Sequence, residues 1–263
     1  MPDVSVLVPN FNGAGVIEEC LASILAQDTR AHYEIVVHDD CSNDGSAEII
    51  ENKFPQATLI RSAENVGFCV SCNRMAEKAH GDYFLLLNND ARLEQGAIEA
   101  LYERAQAVPT PEILSLPQFD AETGQSIDYG CYLDPFFNPV PVSRPSSRPV
   151  AYVMGALLWT PADTWRLLGG LPEWLGSIGE DIFLCQAARR IGAPTLVLER
   201  PPYYHHVGKS FGGGKVRNSR VASTYRRRYL SERNKLLVML MVAPGIYSIL
   251  MLPLAILMLL IEG

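Results

Sequence analysis

The sequence predicts an α/β fold with a mostly parallel central sheet flanked by helices. Through residue 107, short β-branched apolar runs alternate with segments whose apolar residues recur every three to four positions. The 263 residues are 48% hydrophobic, enough to cover a sheet on both faces. Polar residues collect where the apolar runs end, at "NFNG", "HDDCSNDG" and "NND". In an open α/β sheet those carboxyl ends are where ligands sit.

Taken in order, "VSVLVP" (4–9) is a buried-strand run and "GVIEECLASILAQ" (15–27) has helical spacing. "YEIVVHD" (33–39) is a second strand, "SAEIIENKF" (46–54) a helix and "ATLIRS" (57–62) a third strand. "FCVSCNRMAEKA" (68–79) is a helix, "DYFLLL" (82–87) a strand and "GAIEALYERAQA" (96–107) a helix. Residues 118–150 lack periodicity and carry prolines at 135, 139, 141, 145 and 149, which predicts a long loop or hairpin region over the sheet. "YVMGALLW" (152–159) returns to strand character, and "EDIFLCQAARRI" (180–191) is a helix with acids in its first turn.

Charge is unevenly distributed. Residues 209–235 hold nine Lys and Arg against Glu232, so this segment is +8 and the remainder −15, giving the formal −7. An acidic body argues against nucleic-acid binding, whereas a concentrated basic segment points to an anionic surface or a phosphate-bearing ligand. Met1, Pro2 and Asp3 lead straight into the first apolar run, so no signal peptide and a cytosolic body are expected. The six cysteines lack metal-finger spacing and read as reduced thiols. From Leu236 to Ile261 there is no charged residue, 26 positions or about 39 Å of helix at ~1.5 Å per residue. This tail reads as a membrane span, as a helix pair in the bilayer interface interrupted at Pro244, Gly245 and Pro253, or as a buried carboxyl-terminal helix pair.

Local motifs leave several alternatives open. Asp40, Ser42, Asp44, Gly45 and Glu51 approach calcium-loop spacing, but such a loop follows a helix, and the β-branched "EIVV" enters this one. Asp39 and Asp40 read either as ligand groups at a strand end or as part of a capping turn. Asp90, closing "LLLNND", is placed to meet a hard divalent cation that also holds a diphosphate; Asn and Asp also end strands as plain turn residues. Glu180 and Asp181 read as a helix cap or as a general base aimed into a cleft. "YYHHVGKSFGGGK" (203–215) joins paired histidines to a glycine-rich cationic loop suited to closing over phosphates. It is no P-loop, since Tyr203 stands where the first glycine is required, and "NFNGAG" lacks the spaced glycines of a dinucleotide-binding turn.

The stretches "VSVLVPNFNG", "VVHDDCSNDGS", "ENVGFCVSCNRMAEKAHGDYFLLLNND", "VMGALLW", "GEDIFLCQAARRIG", "HHVGKS" and "RNKLLVML", in this order across nearly the whole chain, resemble the family 2 glycosyltransferases of the GT-A fold, in particular the rhamnosyltransferase-like branch. The resemblance implies inverting transfer of a sugar from a nucleotide-diphosphate donor, dTDP-rhamnose or a UDP-sugar, to a hydroxyl of a lipid-linked or polysaccharide acceptor. It implies a nucleotide-sugar pocket lined by Pro9, Asn10, Asp39, Asn65, Asn73 and Asn89. It also implies Mg2+ or Mn2+ held by Asp90, last residue of an NND variant of the metal motif, and by His205, with His206 the competitor for that role. Asp181, beside Glu180, matches the catalytic base; Phe183 stands where many members carry a further acid. The implied organisation is a catalytic domain over 1–235, with a nucleotide-binding part to about 115 and an acceptor-binding part from about 116 to 235. Residues 236–263 would be a membrane-associated or transmembrane segment at the cytoplasmic face. The alternative is an inactive nucleotide-binding or membrane scaffold of the same fold.

Overall fold

The computed structural model describes residues 1–206, 216–217, 220–221 and 225–262. The first half runs β1 (Val4–Asn10), α1 (Ile17–Leu25), β2 (Tyr33–Asp39), α2 (Ser46–Lys53), β3 (Thr58–Arg61), α3 (Phe68–Lys78), β4 (Tyr83–Leu87), β5 (Ala91–Leu93) and α4 (Ala97–Ala107). Then come β6 (Ile113–Ser115), β7 (Gln118–Asp120), β8 (Ser126–Asp128), β9 (Cys131–Leu133), β10 (Pro139–Pro141), β11 (Leu157–Pro161), α5 (Ala162–Leu168), α6 (Glu180–Arg190), β12 (Thr195–Val197) and β13 (Tyr203–His205). The chain closes with β14 (Val216–Arg217), β15 (Arg220–Val221), α7 (Tyr225–Val242) and α8 (Gly245–Glu262).

A seven-stranded sheet in the order β12-β6-β11-β4-β1-β2-β3 forms the centre. β1 pairs in parallel with both β2 and β4, and β11 inserts antiparallel between β4 and β6. The period of two in the strands sorts their side chains onto two cores. Leu7, Phe84 and Leu86 face the layer of α3, α5 and α6, while Val6, Val8, Leu85 and Leu87 face α1 and α4. A second sheet, β5-β13-β7-β8, stands beyond the carboxyl end of β4. The expected α/β architecture is thus present, and the aperiodic 118–150 region holds short strands in hairpins.

Two expectations need correction. The strand expected over 152–159 begins only at Leu157, because Val150 and Tyr152 bridge to Thr195 and Cys131 and the chain reaches β4 only afterwards. The boundary expected at 235/236 falls inside α7, because Val238, Met239 and Val242 belong to the same core as Leu184 and Cys185 of α6. Pro244 separates α7 from α8, whereas Pro253 lies within α8 without ending it. Ile246, Ile249, Leu250, Leu254, Ile256 and Leu257 of α8 are exposed. Among the described residues, no helix is long and apolar enough to cross a membrane.

Where α3 hands over to β4, Gly81 lies against β1. A Cβ there would stand 2.6 Å from the Ser5 backbone nitrogen and 2.7 Å from the Val4 carbonyl carbon, and neither can yield without moving the strand. Gly81→Ala is expected to lower stability by roughly 1–3 kcal/mol, the range for overpacking, read from urea unfolding monitored by circular dichroism.

Candidate active site

The polar strand ends meet where the sequence placed them. Asn10 closes β1 and is 1% exposed; its Nδ2 donates to Asp39 Oδ1 at 2.7 Å and to Ser46 Oγ at 2.9 Å. Its Oδ1 accepts from Asn89 Nδ2 at 2.8 Å, so one amide ties the ends of β1, β2 and β4 together. Gly13 is required above this contact, since a Cβ there would lie 2.3 Å from both Asn10 Oδ1 and Asn89 Nδ2. Asp40 is a turn-former: its two oxygens accept from the backbone N–H groups of Val66 at 2.7 Å and Gly67 at 2.9 Å, fixing the start of α3. With β2 entering the loop and Asp40 so engaged, the calcium-like spacing is that of a strand-to-helix turn. Pro9 precedes Asn10 on β1, and the exposed Asn65 donates weakly to the Asp40 carbonyl at 3.3 Å.

Asp90 lies one residue beyond Asn89, 4% exposed, and His205 Nε2 stands 3.0 Å from its Oδ1. The pair forms because β13 runs antiparallel to β5, with His205 opposite Ala91. His206 turns elsewhere: its Nε2 lies 3.5 Å from Glu19 Oε2, and its backbone N–H donates to the Asp90 carbonyl at 3.0 Å. His205 is therefore the histidine beside the carboxylate. One carboxylate oxygen and one imidazole nitrogen fit a divalent cation that takes its other ligands from a diphosphate and water. Among the described residues, no three or more His, Cys, Asp or Glu side chains are grouped to hold a metal.

The register brings Asp181 to the same side. Leu157 of β11 pairs with Leu87 of β4, the Asn88 N–H donates to the Ala156 carbonyl at 3.0 Å, and the Gly155 N–H donates to Asp181 Oδ2 at 3.3 Å. Asp181 Oδ1 accepts from the Ile182 N–H at 2.8 Å. Burial raises the pKa values of both Glu180 and Asp181, and the Asp181 charge raises Glu180 further. Asp128, absent from any sequence motif, is a third such acid. Its Oδ1 accepts from the Gly130 N–H at 2.8 Å, its Oδ2 is buried without a hydrogen-bond partner, and burial raises its pKa. It lies close enough to raise Asp181, and His205 close enough to lower Asp128. The acids thus occupy one continuous field.

The loop before Asp181 carries positive φ at Gly176 (69°), Ile178 (73°) and Gly179 (93°). For a β-branched Ile178 that conformation costs about 1–3 kcal/mol and persists only where surroundings impose it. Asn234 of α7, 0% exposed, imposes it by donating from Nδ2 to the carbonyls of Leu175 at 3.0 Å, Ser177 at 3.1 Å and Ile178 at 2.6 Å.

Residues 5–129 match the family described as Glycosyl transferase family 2. Over that stretch, just under half of the chain, the sequence is similar to this family. It is 32% identical over 105 residues to a Bacillus subtilis protein named as the teichuronic acid biosynthesis glycosyltransferase TuaG, covering 39% of this chain and 41% of that one. It is 23% identical over 261 residues to the N-acetylglucosaminyl-diphospho-decaprenol L-rhamnosyltransferase of Mycobacterium tuberculosis, covering 88% and 84%. The mannosyltransferase PcManGT of Pyrobaculum calidifontis, solved with GDP-Man and Mn2+, superposes with a TM-score of 0.60 at 20% identity over 98% of this chain and 81% of that one. That likeness is one of fold. The chain spans 31–41% of the length of the first three curated relatives it matches.

The geometry brings together Asn10, Asp39, Asn89, Asp90, His205 and Asp181, with Glu180 beside them. Asn73 is committed elsewhere: its amide pairs with both the N–H and the carbonyl of Leu171, each at 2.9 Å, bracing the 169–176 loop on α3. The glycine-rich cationic loop over 207–215 lies outside the described residues. Sequence reasoning missed Asp128 and Asn234. Asp128 sits in an aperiodic stretch, and Asn234, inside the quoted "RNKLLVML", gave no sign of what it would hold.

Glu180 Oε2 is buried with no hydrogen-bond partner. Because its folded pKa lies above the unfolded value, its stabilising contribution is complete below the unfolded pKa and is lost as pH rises through the folded one. Glu180→Gln removes that loss. Its melting temperature relative to the unmodified chain is expected to climb between pH 5 and pH 8, by roughly 2 °C or more. An equal offset at both pH values would count against the raised pKa.

Proposed function

We propose that the chain is an inverting glycosyltransferase that moves a sugar from a nucleotide-diphosphate donor to an acceptor hydroxyl. One observation carries this: Asp181 and the Asp90–His205 pair open on the same strand-end rim, joined through Asn88 to Ala156 and Gly155 to Asp181. The nucleotide would lie against Pro9, Asn10, Asp39, Asn65 and Asn89, over the carboxyl ends of β1 and β2, where ligands bind such sheets. The diphosphate would extend toward Asp90.

Asp181 accepts the proton of the acceptor hydroxyl while its oxygen attacks the anomeric carbon from the face opposite the diphosphate, and configuration inverts. The raised pKa suits this task, since a base titrating above the ordinary carboxylate range takes up a proton more strongly. Positive charge growing on the sugar faces Asp181 and Asp128. A divalent cation, Mg2+ or Mn2+, held by Asp90 and His205 would stabilise the charge of the departing diphosphate. The Mn2+ in the mannosyltransferase of like fold supports that use.

The donor we favour is dTDP-rhamnose, with a UDP-sugar as the other choice, and the acceptor a lipid-linked or growing polysaccharide of the cell wall. The rhamnosyltransferase relative supports this because it aligns over most of both chains. We place the chain at the cytoplasmic face of a membrane, with the exposed apolar residues of α8 seated in the interface beside the basic segment. The nucleotide-binding part is assigned to about 1–115, and the acceptor-binding part runs from about 116 through the end of α7.

A panel of nucleotide sugars assayed for donor consumption with Mg2+ or Mn2+ tests the reaction; no turnover on any donor, with nucleotide still bound, would leave an inactive scaffold. Asp181→Asn is expected to lower kcat by ~10² to 10⁴ while nucleotide affinity holds. Unchanged turnover removes Asp181 from the role. The kcat profile of the unmodified chain should rise through a limb above the ordinary carboxylate range as Asp181 ionises. Asp90→Ala should abolish the cation dependence of nucleotide binding measured by calorimetry; an unaltered dependence would place the cation elsewhere.

A further inference from the structure

His205 is held from behind by a residue that no motif singles out. Gln118 opens β7, is 4% exposed and stands opposite Tyr203 in the parallel β13–β7 ladder. Its Nε2 lies 3.0 Å from His205 Nδ1, and its Oε1 accepts from the Tyr203 hydroxyl at 3.0 Å. On the other side of the ring, Nε2 lies 3.0 Å from Asp90 Oδ1. This line, Tyr203 to Gln118 to His205 to Asp90, crosses the second sheet and ends at the central one.

Donor and acceptor accounting fixes what each member does. With the amide nitrogen of Gln118 donating to Nδ1, the proton of a neutral ring sits on Nε2 and is donated to Asp90. A ring so protonated has no lone pair to offer a cation beside Asp90. To ligate through Nε2, the ring must carry its proton on Nδ1, facing Gln118. An amide can meet both states. A half-turn of its terminal torsion exchanges Oε1 and Nε2, so that Oε1 accepts from Nδ1–H and Nε2 donates to the Tyr203 oxygen. A phenol hydroxyl serves equally as donor or acceptor, and the hydrogen-bond count is the same before and after. In the exchange the Nε2 proton passes to water and Nδ1 takes one from water, so the ring stays neutral.

We propose that Gln118, with Tyr203 behind it, is a positioning residue that sets which nitrogen of His205 carries the proton, and thereby admits a divalent cation at Asp90 and His205. The inference rests on the reading of those two residues as cation ligands. Residues that orient a ligating histidine in this way typically alter metal affinity 10- to 100-fold when removed. Leucine at 118 serves neither state. Glutamate serves the loaded one: ionised it accepts from Nδ1–H, and protonated, beside Asp128 across the β7–β8 ladder, it still offers a carbonyl oxygen.

The test is a Mn2+ titration followed by electron paramagnetic resonance, with UDP and with dTDP, on the full chain and on Gln118→Leu and Gln118→Glu. Melting curves confirm that both variants fold. Gln118→Leu is expected to bind Mn2+ 10- to 100-fold more weakly and Gln118→Glu to stay within about threefold of the unmodified chain. In two-bond 1H–15N spectra with Mg2+ and nucleotide, the His205 proton should move from Nε2 to Nδ1. Equal affinity in Gln118→Leu, or a Gln118→Glu that falls as far as Gln118→Leu, overturns the role of Gln118. If the unmodified chain binds no Mn2+ under any of these conditions, the cation site itself is wrong, which is a different failure.

Discussion

The arrangement depends on a single buried amide. Asn10 sits where three parallel strands end, and its side chain both donates to Asp39 and accepts from Asn89. Strand ends leave backbone and side-chain polar groups pointing the same way, and without such a bridge their spacing would be left to flexible turns. An amide suits the position because it offers donors on one side and an acceptor on the other. A carboxylate here would repel Asp39, and an apolar residue would take away the partner of Asp39 Oδ1 and of the Asn89 amide. Gly13 belongs to the same device, since only a residue without Cβ can pass over the Asn10–Asn89 contact.

From this fixed edge the rest of the site is carried outward by pairing. β4 delivers Asp90, and the antiparallel β5–β13 ladder returns His205 to it. β11 runs back along β4, so the segment before it reaches Asp181 through Gly155. The result is an unusually acidic rim: Asp39, Asp90, Asp128, Glu180 and Asp181 in an environment that raises several of their pKa values. A protein that collects carboxylates in a region of low solvent access has arranged a place where positive charge is stabilised, whether that charge is a metal ion or a carbon losing its leaving group.

Helix α7 connects this chemistry to the carboxyl-terminal region. Its apolar side chains complete the core against α6, and Asn234 holds the strained turn that presents Asp181. The same helix leads through Pro244 into α8, whose apolar residues are exposed.

By itself, the sequence determined the alternation of strands and helices through α4, because each strand there is an apolar run long enough to show its period and each helix an amphipathic segment with turn residues at both ends. It also determined that Asn10, Asp39, Asn89 and Asp90 stand at one edge, since residues that end parallel strands of one sheet share that edge. Only the tertiary structure decided the three-residue strands β5, β6, β12 and β13, which are too short to carry a period and exist because distant partners complete their hydrogen bonds. It decided that His205 and not His206 meets Asp90, because alternate residues of a strand face opposite sides and the β5–β13 register selects one of them. It committed Asn73 to Leu171, brought Asp128 and Gln118 out of an aperiodic stretch into the site, and set Asn234 beneath Ile178. Those contacts join residues 56 to 115 positions apart, and local pattern holds no information about them.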